Sequence, residues 1–184
     1  MVTICQQSSL EEIEQIKALQ TRNLKSQLTE AERQAEGFLT ASYTLDFLQY
    51  MFDKHPPILA KDQDKVVGYA LVASPEIRGY HDLLDDLLGH CDRVVYNGVT
   101  LQDVPYAVVG QLCVDKAYRG QGIVQKLYAH FRECMVPTHS CCITDVDQNN
   151  PRSLQAHLKS GFEVVGTLDY GGAAWDLVLW NWRL

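Results

Sequence analysis

The segment from Tyr106 to Val114 constrains the fold of this chain most, because both of its alternating sets of side chains are mostly apolar. Only Gly110 and Gln111 interrupt the run. Alternate side chains of a β-strand point to opposite faces of a sheet, so a strand that is apolar on both faces is covered on both. The pattern predicts a central strand in a sheet that is covered on each side.

This strand is followed, within a few residues, by a glycine-rich loop and then a helix. The loop reads Arg119-Gly120-Gln121-Gly122-Ile123, and the helix has one apolar stripe: Val124, Leu127, Tyr128, Phe131 and Met135. The first N–H groups of a helix have no partner inside it, and the positive end of the helix dipole lies beside them. Because glycine lets the backbone approach a ligand closely, the loop is a candidate phosphate site, with Arg119 adding charge at its rim.

Apolar spacing and turn residues predict further strands and helices on either side of this unit. Strands are predicted at residues 2–5, 58–60, 66–72, 94–96, 99–101, 141–146, 162–165 and 174–180. Helices are predicted after Ser8 or Ser9, from Thr29, around residues 45–51, over 81–90, and from Asn150 to Gly161. With 184 residues, no repeat and no linker, the chain is expected to form a single domain over residues 1–184.

Charge and hydropathy argue against two classes of partner. The chain carries 23 acidic and 16 basic residues, a net charge of −7, whereas nucleic acids are bound through clustered Lys and Arg. No stretch approaches about 18 uninterrupted apolar residues, and the N-terminus lacks the basic and apolar regions of a signal peptide. We therefore expect no nucleic acid partner, no membrane segment and a cytoplasmic location. A cationic small substrate would suit the overall sign of the charge.

Six cysteines are spread along the chain, at positions 5, 91, 113, 134, 141 and 142. They form no CxxC pair and no Cys/His cluster at the spacing of a zinc site, so no metal is expected. Several lie inside apolar runs, where cysteine behaves as a small hydrophobic residue. We expect them to be reduced thiols of the core.

Three kinds of phosphate-binding loop can open a helix in this way. GxxxxGK[ST] is absent, and the dinucleotide fingerprint GxGxxG would need glycine where Gln125 stands. The third kind fits. Leu112-Cys113-Val114 followed by Arg119-Gly120-Gln121-Gly122-Ile123-Val124 resembles the signature of the GNAT superfamily of acetyl-CoA-dependent N-acetyltransferases. Val124 departs from that signature, since Gly or Ala is usual at its position.

A second motif of the same family lies further along the chain. Asn150, Ser153, His157, Gly161 and Phe162 match the family's Asn-x-x-Ala/Ser-x-x-x-Tyr-x-x-x-Gly-Phe at the same spacing, with His157 in place of Tyr. On a helix of 3.6 residues per turn the first three share one face. We expect that face to run along the pantetheine arm of the coenzyme. A glycine loop alone is a weak signal, but the two motifs in order are specific.

The resemblance implies an α/β (α+β) fold, with a mixed, mostly antiparallel central sheet that is flanked by helices and splayed at the acyl-CoA site. It implies acetyl-CoA as cosubstrate. The residues it implies for coenzyme binding are Leu112, Cys113, Val114, Arg119, Gly120, Gln121, Gly122, Ile123, Val124, Asn150, Ser153 and His157. The expected reaction is acetylation of a primary amine by direct attack, with a backbone N–H near Cys113 or Val114 stabilising the oxyanion.

Two side chains are candidates for catalysis under this resemblance. The family's Tyr at the position of His157 is thought to protonate the departing thiolate, and histidine can donate a proton too. Gln111 lies on the strand where family members often have a Glu or another polar group that helps to remove the amine proton. Glutamine is not a base but can hold a water, so the general base is unidentified. Cys113 as a nucleophile is the ping-pong alternative, with no evident base nearby.

Other functions remain open at this point. The same fold can serve as a non-catalytic acyl-CoA-binding sensor, and a glycine loop alone is compatible with a nucleotide-binding or scaffold protein. The acceptor is expected to be a small-molecule or peptide amine. Asp82, Asp85, Asp86 and Asp92 form either a solvated helix face or a rim that attracts a cation. The apolar C-terminal strand is a candidate for pairing across a homodimer.

Overall fold

A computed structural model describes residues 1–6 and 9–184. In that part of the chain the strands are β1 (Val2–Gln6), β2 (Ile58–Asp62), β3 (Lys65–Ala73), β4 (Val95–Tyr96), β5 (Val99–Thr100), β6 (Tyr106–Val114), β7 (Cys141–Asp147), β8 (Glu163–Tyr170) and β9 (Ala173–Asn181). The α-helices are α1 (Leu10–Arg22), α2 (Glu30–Glu36), α3 (Leu45–Lys54), α4 (Asp82–Arg93), α5 (Ile123–Met135) and α6 (Pro151–Lys159). Each strand and helix expected from the sequence is present, with ends that differ by a few residues.

Seven strands form the main sheet in the order β1-β2-β3-β6-β7-β9-β8. Neighbouring strands are antiparallel except β6 and β7, which are parallel. This mixed, mostly antiparallel sheet flanked by helices confirms the expected fold. β4 and β5 form a separate hairpin, with Asn97 and Gly98 in its turn at positive φ.

Helices cover both faces of the sheet, and β6 lies at its centre. One face packs against α1, α3 and α4 through buried side chains that include Ile16, Leu48 and Leu88. The other face packs against α5 through Leu127 and Phe131. Within the described residues, no helix is long and apolar enough to cross a bilayer.

Polar side chains fix where two of the helices begin. Ser9 accepts a hydrogen bond from the Glu12 N–H and caps α1. Ser8, the other candidate cap, lies outside the described residues. Asn150 caps α6, with Pro151 in the first turn, as the sequence predicts.

The sheet opens between its two parallel strands. β6 and β7 are paired only up to Val108 and Ile143. Beyond that point β6 stays paired with β3, and β7 stays paired with β9. The two strands therefore diverge, as the resemblance implies. The gap that they leave, between residues 110–114 of β6 and 144–147 of β7, is called the wedge below.

A β-bulge at Gly110 marks the start of the wedge. The register between β3 and β6 shifts between Leu71 and Val72, which leaves Gly110 without a residue opposite it. A Cβ atom at Gly110 would lie 3.1 Å from the Cβ of Ala73, closer than ordinary contact. The Gly110 carbonyl accepts a hydrogen bond from the Tyr43 hydroxyl at 2.9 Å. The bulge was not predicted, although a glycine inside a strand is its usual sequence signal.

The C-terminal strand β9 lies inside the sheet, hydrogen-bonded to β7 on one side and to β8 on the other. Both of its edges are occupied by strands of the same chain. The expected pairing of this strand across a homodimer is therefore wrong.

The six cysteines are all free. Cys91, Cys113, Cys141 and Cys142 are buried in the two apolar clusters on either side of the sheet. Their positions agree with the interpretation of these residues as core thiols.

Gly161 provides a test of the junction between α6 and β8. It has positive φ (103°), and a Cβ there would lie 2.7 Å from Nε1 of Trp180. Gly161→Ala combines backbone strain with a clash, and we expect it to lower the free energy of unfolding by about 3 kcal/mol. Gly98→Ala is the matched control, because Gly98 has φ 80° and open space around it. Strain alone predicts a loss of about 1–2 kcal/mol for the control. Urea unfolding measures both, and equal losses would contradict the clash.

Candidate functional site

A groove of about 870 Å³ runs from the wedge past the start of α5 and along one face of α6. Its volume is in the range of small-molecule and cofactor sites, roughly 300–1,000 Å³. Of the residues expected to contact the coenzyme, those that line it are Leu112, Cys113, Val114, Arg119, Gly120, Gly122, Ile123, Val124, Asn150, Ser153 and His157. Gln121 is not part of the lining. It is exposed, and its Nε2 donates to the Ala117 carbonyl at 3.4 Å.

The start of α5 presents unpaired backbone donors beside the groove. Gly122 is the N-cap residue in the left-handed conformation (φ 71°), and Gly120 also has positive φ (73°). No side chain caps the helix, and no acidic residue lies in its first turn. The first N–H groups of α5 are thus left without helical partners where an anion can approach them. Val124, at the position where the family has Gly or Ala, is half-buried in the groove wall.

The backbone of β6 also presents polar groups to the wedge. The Asp115 N–H donates to the Val67 carbonyl of β3 at 2.8 Å. Because the direction of hydrogen bonding alternates along an antiparallel strand, the N–H of Cys113 also points towards β3. The N–H groups of Leu112 and Val114 then point the other way, into the wedge.

Arg119 does not stand free at the rim of the loop. Its Nη1 donates to the carboxylate and the carbonyl of Glu36, both at 2.9 Å, and its Nη2 donates to Oδ1 of Asn23 at 2.6 Å. Its Nε donates to the Val114 carbonyl at 3.0 Å. The hydrogen bond from Arg119 holds the pKa of the Glu36 carboxyl below its usual range. Arg119 therefore ties the glycine loop to the N-terminal helices, and one N–H of Nη2 is left for a ligand.

Residues 36–39, which include the last residue of α2, form a wall of the groove that was not predicted from the sequence. The Asn150 side chain donates to the Phe38 carbonyl at 2.9 Å, and Arg152 donates to the Ala35 carbonyl at 2.9 Å. Gly37 has φ 75°, and a Cβ there would lie 2.9 Å from Oδ1 of Asn150. This glycine is the one signal in the sequence that marks the close approach.

His157 lies on the same face of α6 as Asn150 and Ser153, as their spacing predicts, and all three line the groove. Its ring is buried, and Nδ1 lies 2.7 Å from the Ser153 carbonyl oxygen. A carbonyl only accepts, so Nδ1 carries the proton and Nε2 is an acceptor.

Burial also decides the charge of His157, because it lowers the pKa of this imidazole to about 4. The ring is therefore neutral at pH 7, with its proton held by Ser153. Such a ring does not donate a proton to a thiolate. The general-acid role expected for His157 does not fit this geometry.

Gln111 belongs to a buried hydrogen-bond network. Its Oε1 accepts from Nε2 of Gln20 at 2.9 Å and from the Tyr69 hydroxyl at 2.7 Å. Its Nε2 donates to the Ala41 carbonyl at 2.9 Å. Both lone pairs of the oxygen are used, so the expected role in holding a water is limited to the second Nε2 hydrogen. The network joins α1 and β3 to the part of β6 that borders the wedge.

Cys113 is buried among apolar side chains of the sheet. Burial raises the pKa of its thiol to about 12, so the reactive thiolate is not populated at pH 7. This disfavours the ping-pong alternative.

A smaller cavity of about 90 Å³ continues the groove beyond the wedge. It shares Leu112, Asn150, Ser153 and His157 with the groove and adds Asp145 of β7. Asp145 is not among the site residues predicted from the sequence. Its signal is a lone carboxylate inside the largely apolar run from Cys141 to Val146, and it is half-buried in a strand whose other residues are buried. Within residues 1–6 and 9–184, no cluster of three or more His, Cys, Asp or Glu side chains is placed to hold a metal ion.

Comparison with solved structures finds chains of the same fold. A chain of the NatC complex bound to Gag peptide and CoA gives 14% identity and a TM-score of 0.67, with 99% of this chain and 99% of that one covered. The ribosomal-protein-S18-alanine N-acetyltransferase from Escherichia coli gives 11% identity and a TM-score of 0.64, with 100% of this chain and 96% of that one covered. The structure of yncA from Salmonella typhimurium with acetyl-CoA gives 13% identity and a TM-score of 0.63, with 98% of this chain and 93% of that one covered. At these identities the likeness shows a common fold.

No curated protein matches the chain. The model of the Acetyltransferase (GNAT) family matches residues 21–162, a stretch that contains the glycine loop, the wedge and all of α6. The chain therefore belongs to the GNAT acetyltransferase family.

Proposed function

We propose that this protein transfers the acetyl group of acetyl-CoA to a primary amine by direct attack, without a covalent enzyme intermediate. One observation carries the proposal. The wedge, with its unpaired backbone groups, and the uncapped start of α5 open into a single groove of cofactor size. A pyrophosphate suits the helix start, and an amide-bearing arm suits the edge of β6.

The coenzyme would lie along this groove. Its pyrophosphate would accept hydrogen bonds from the backbone of residues 119–124, with Gln121 contributing through its backbone alone. Its pantetheine arm would pair with the N–H groups of Leu112 and Val114, passing the α6 face that carries Ser153 and His157. The acceptor nitrogen of His157 is suited to an amide N–H of that arm.

The expected reaction steps depend on which backbone N–H groups of β6 are free to bind the substrate and on where the protons of the amine go. The N–H of Leu112 or Val114 would stabilise the oxyanion of the tetrahedral intermediate, because the N–H of Cys113 is turned towards β3. Orientation of two bound reactants supplies much of the rate. An ammonium acceptor loses one proton before it attacks. The second proton leaves the nitrogen of the intermediate as the C–S bond breaks and is taken up by the departing sulfur, so no acidic side chain is required.

The relatives of known fold favour an amine acceptor. NatC was solved with a peptide, and the Escherichia coli enzyme is an alanine N-acetyltransferase of a ribosomal protein. We propose the same reaction type for this chain, with a small-molecule or peptide amine as acceptor. A non-catalytic acyl-CoA sensor is the second candidate, favoured by the occupied side chain of Gln111 and the neutral ring of His157.

The first prediction concerns the coenzyme. Saturating acetyl-CoA or coenzyme A is expected to raise the melting temperature, because a ligand at 100 times its Kd adds about 2.7 kcal/mol of stability. ATP and NAD serve as controls and are expected to have no effect. A thiol-release assay over a panel of amines then separates the two candidates. Stabilisation without release of coenzyme A would identify a sensor, and stabilisation by ATP or NAD alone would contradict both.

The second prediction concerns the loop. Gly122→Val is expected to weaken acetyl-CoA binding at least tenfold, about 1.4 kcal/mol, because valine is strained at φ 71° and would displace the N–H groups at the start of α5. Gly98→Val carries similar strain at φ 80°, in the β4–β5 hairpin. Isothermal titration calorimetry is expected to show unchanged affinity for this control. Equal affinities in the two variants would mean that the loop does not hold the coenzyme.

The third prediction concerns His157. Its imidazole is expected to remain the neutral Nδ1–H tautomer above about pH 5 and to titrate with a midpoint near 4. Nitrogen-15 NMR of labelled histidine distinguishes the two ring nitrogens and follows their protonation. A midpoint near 6.5, the ordinary value for histidine, would restore His157 as a candidate acid.

A further inference from the structure

Two buried glutamines, Gln20 of α1 and Gln111 of β6, bind the backbone of residues 41–43 as a neighbouring strand would. Nε2 of Gln111 donates to the Ala41 carbonyl at 2.9 Å, and Oε1 of Gln20 accepts from the Tyr43 N–H at 2.9 Å. Nε2 of Gln20 donates to Oε1 of Gln111, also at 2.9 Å. Gln111 is 8% exposed and Gln20 is 0% exposed. These three hydrogen bonds are called the amide relay below.

The backbone at the two ends of the amide relay fixes its direction. A carbonyl only accepts and an N–H only donates, so the nitrogen of Gln111 faces Ala41 and the oxygen of Gln20 faces Tyr43. The nitrogen of Gln20 is then the group that faces the oxygen of Gln111. A carboxylate cannot replace either amide without losing a donor, because it has no proton to give.

Two donors outside the amide relay occupy the remaining lone pairs of its oxygens. Lys17 donates to Oε1 of Gln20 at 3.1 Å, and the Tyr69 hydroxyl of β3 donates to Oε1 of Gln111 at 2.7 Å. Lys17 also donates to the Tyr43 carbonyl, which ties it to the same backbone segment. Neither amide can therefore turn over without leaving buried polar groups unpaired, which is costly.

The amide relay ends beside a backbone group that the proposed reaction uses. Gln111 immediately precedes Leu112, whose N–H points into the wedge. The Gly110 carbonyl, on the other side of Gln111, accepts from the Tyr43 hydroxyl at 2.9 Å. Because the bulge leaves Gly110 without a residue opposite it on β3, strand pairing alone does not fix the backbone there. The two residues before Leu112 are thus held by residues 41–43.

We propose that Gln111 is a positioning residue, which acts with Gln20 to hold residues 110–112 where the N–H of Leu112 meets the acetyl thioester. The inference rests on the proposed acetyl transfer and goes beyond it, because it gives Gln111 a role that needs neither a base nor a water. Misplacement by about 1 Å can lower a rate about 100-fold. Loss of the amide relay is therefore expected to lower kcat far more than the affinity for acetyl-CoA, whose pyrophosphate binds at the glycine loop.

Replacement of Gln111 by glutamate separates positioning from proton transfer, because it keeps the size of the side chain. In Gln111→Glu a protonated carboxyl donates to the Ala41 carbonyl and accepts from Gln20 and Tyr69, as the amide does. The ionised carboxylate cannot donate and lies against the carbonyl oxygen. The ratio of variant to wild-type kcat is expected to be near that of equal activity at low pH and to fall about 100-fold as the carboxyl ionises. A glutamate that acted as a base would give the opposite slope.

The groups around Gln111 set the pH at which the introduced carboxyl would ionise. Burial and neighbouring carboxylates raise the pKa of such a carboxyl, and a neighbouring ammonium lowers it. The titratable groups around it are Lys17 of α1, Tyr43, Tyr69 of β3, Cys113 of β6 and, in the wall of the cavity that Gln111 also lines, Asp145, Asp147 and His157. Thiol detection of released coenzyme A over about pH 5 to pH 9 measures the ratio of kcat values.

Gln20→Glu repeats the test at a residue that no substrate touches, because Gln20 is fully buried. Its protonated carboxyl keeps the amide relay, whereas its carboxylate turns a second oxygen towards Oε1 of Gln111. The ratio of kcat values is again expected to fall with rising pH. The midpoint is expected at lower pH than in Gln111→Glu, because Lys17 lies 3.1 Å from the oxygen at this position. This variant keeps the inference testable if Gln111→Glu does not fold.

Gly98→Ala is the control for a role that is confined to stability. Gly98 lies in the β4–β5 hairpin at φ 80°, so the substitution strains the backbone away from the wedge. It is expected to lower the melting temperature and to leave kcat unchanged at every pH. The affinity for acetyl-CoA, measured by isothermal titration calorimetry, is expected to match that of the wild type in all three variants.

A ratio of kcat values that does not change with pH in a folded Gln111→Glu or Gln20→Glu protein would overturn the inference. A ratio that rises with pH in Gln111→Glu would overturn it too, since the carboxylate would then act as a base. The outcomes also separate the inference from the proposed function. A wild type that binds acetyl-CoA but acetylates no amine would remove both. An active wild type whose two glutamate variants keep full kcat at every pH would remove the inference alone.

Discussion

The divergence of β6 and β7 beyond Val108 and Ile143 is the constraint on which the rest of this structure depends. If β6 and β7 stayed paired, the N–H and C=O groups that face the wedge would bond to the neighbouring strand, and no groove would form between the two strands. The bulge at Gly110 changes the course of β6 where the divergence starts. The Tyr43 hydroxyl holds the Gly110 carbonyl, and the Thr144 hydroxyl spans the start of the gap to the Val109 carbonyl at 2.8 Å. These two hydrogen bonds therefore stabilise the sheet where the gap begins.

Polar side chains that the sequence predicted to contact the coenzyme or to take part in catalysis also hold segments of the protein together. Arg119 binds Glu36 and Asn23, and Asn150 caps α6 while holding the Phe38 carbonyl. Gln111 anchors β6 to Gln20 of α1. These contacts join segments far apart in the chain, so the backbone donors of the groove are fixed before a ligand arrives. Preorganisation of this kind reduces the entropy lost on binding.

Burial acts on three groups beside the wedge with different consequences. It keeps the Cys113 thiol protonated and the His157 ring uncharged, which takes both out of proton transfer at neutral pH. For Asp145 the same effect brings the pKa to about 7, where a carboxyl can both accept and release a proton. The cost is a destabilising charge in the folded state, of the kind that active sites often retain.

The sequence by itself determined the order of the elements, the central place of β6 and the glycine loop at the start of α5, because these follow from local periodicity, capping and glycine chemistry. It also placed Asn150, Ser153 and His157 on one face, since helical spacing is local. Only the tertiary structure decided which polar groups stay free. Glu36, which binds Arg119, lies 83 residues away from it in the chain, and Gln20, which binds Gln111, lies 91 residues away. Burial sets the charge of His157 and of Asp145, and burial is a property of the packed chain.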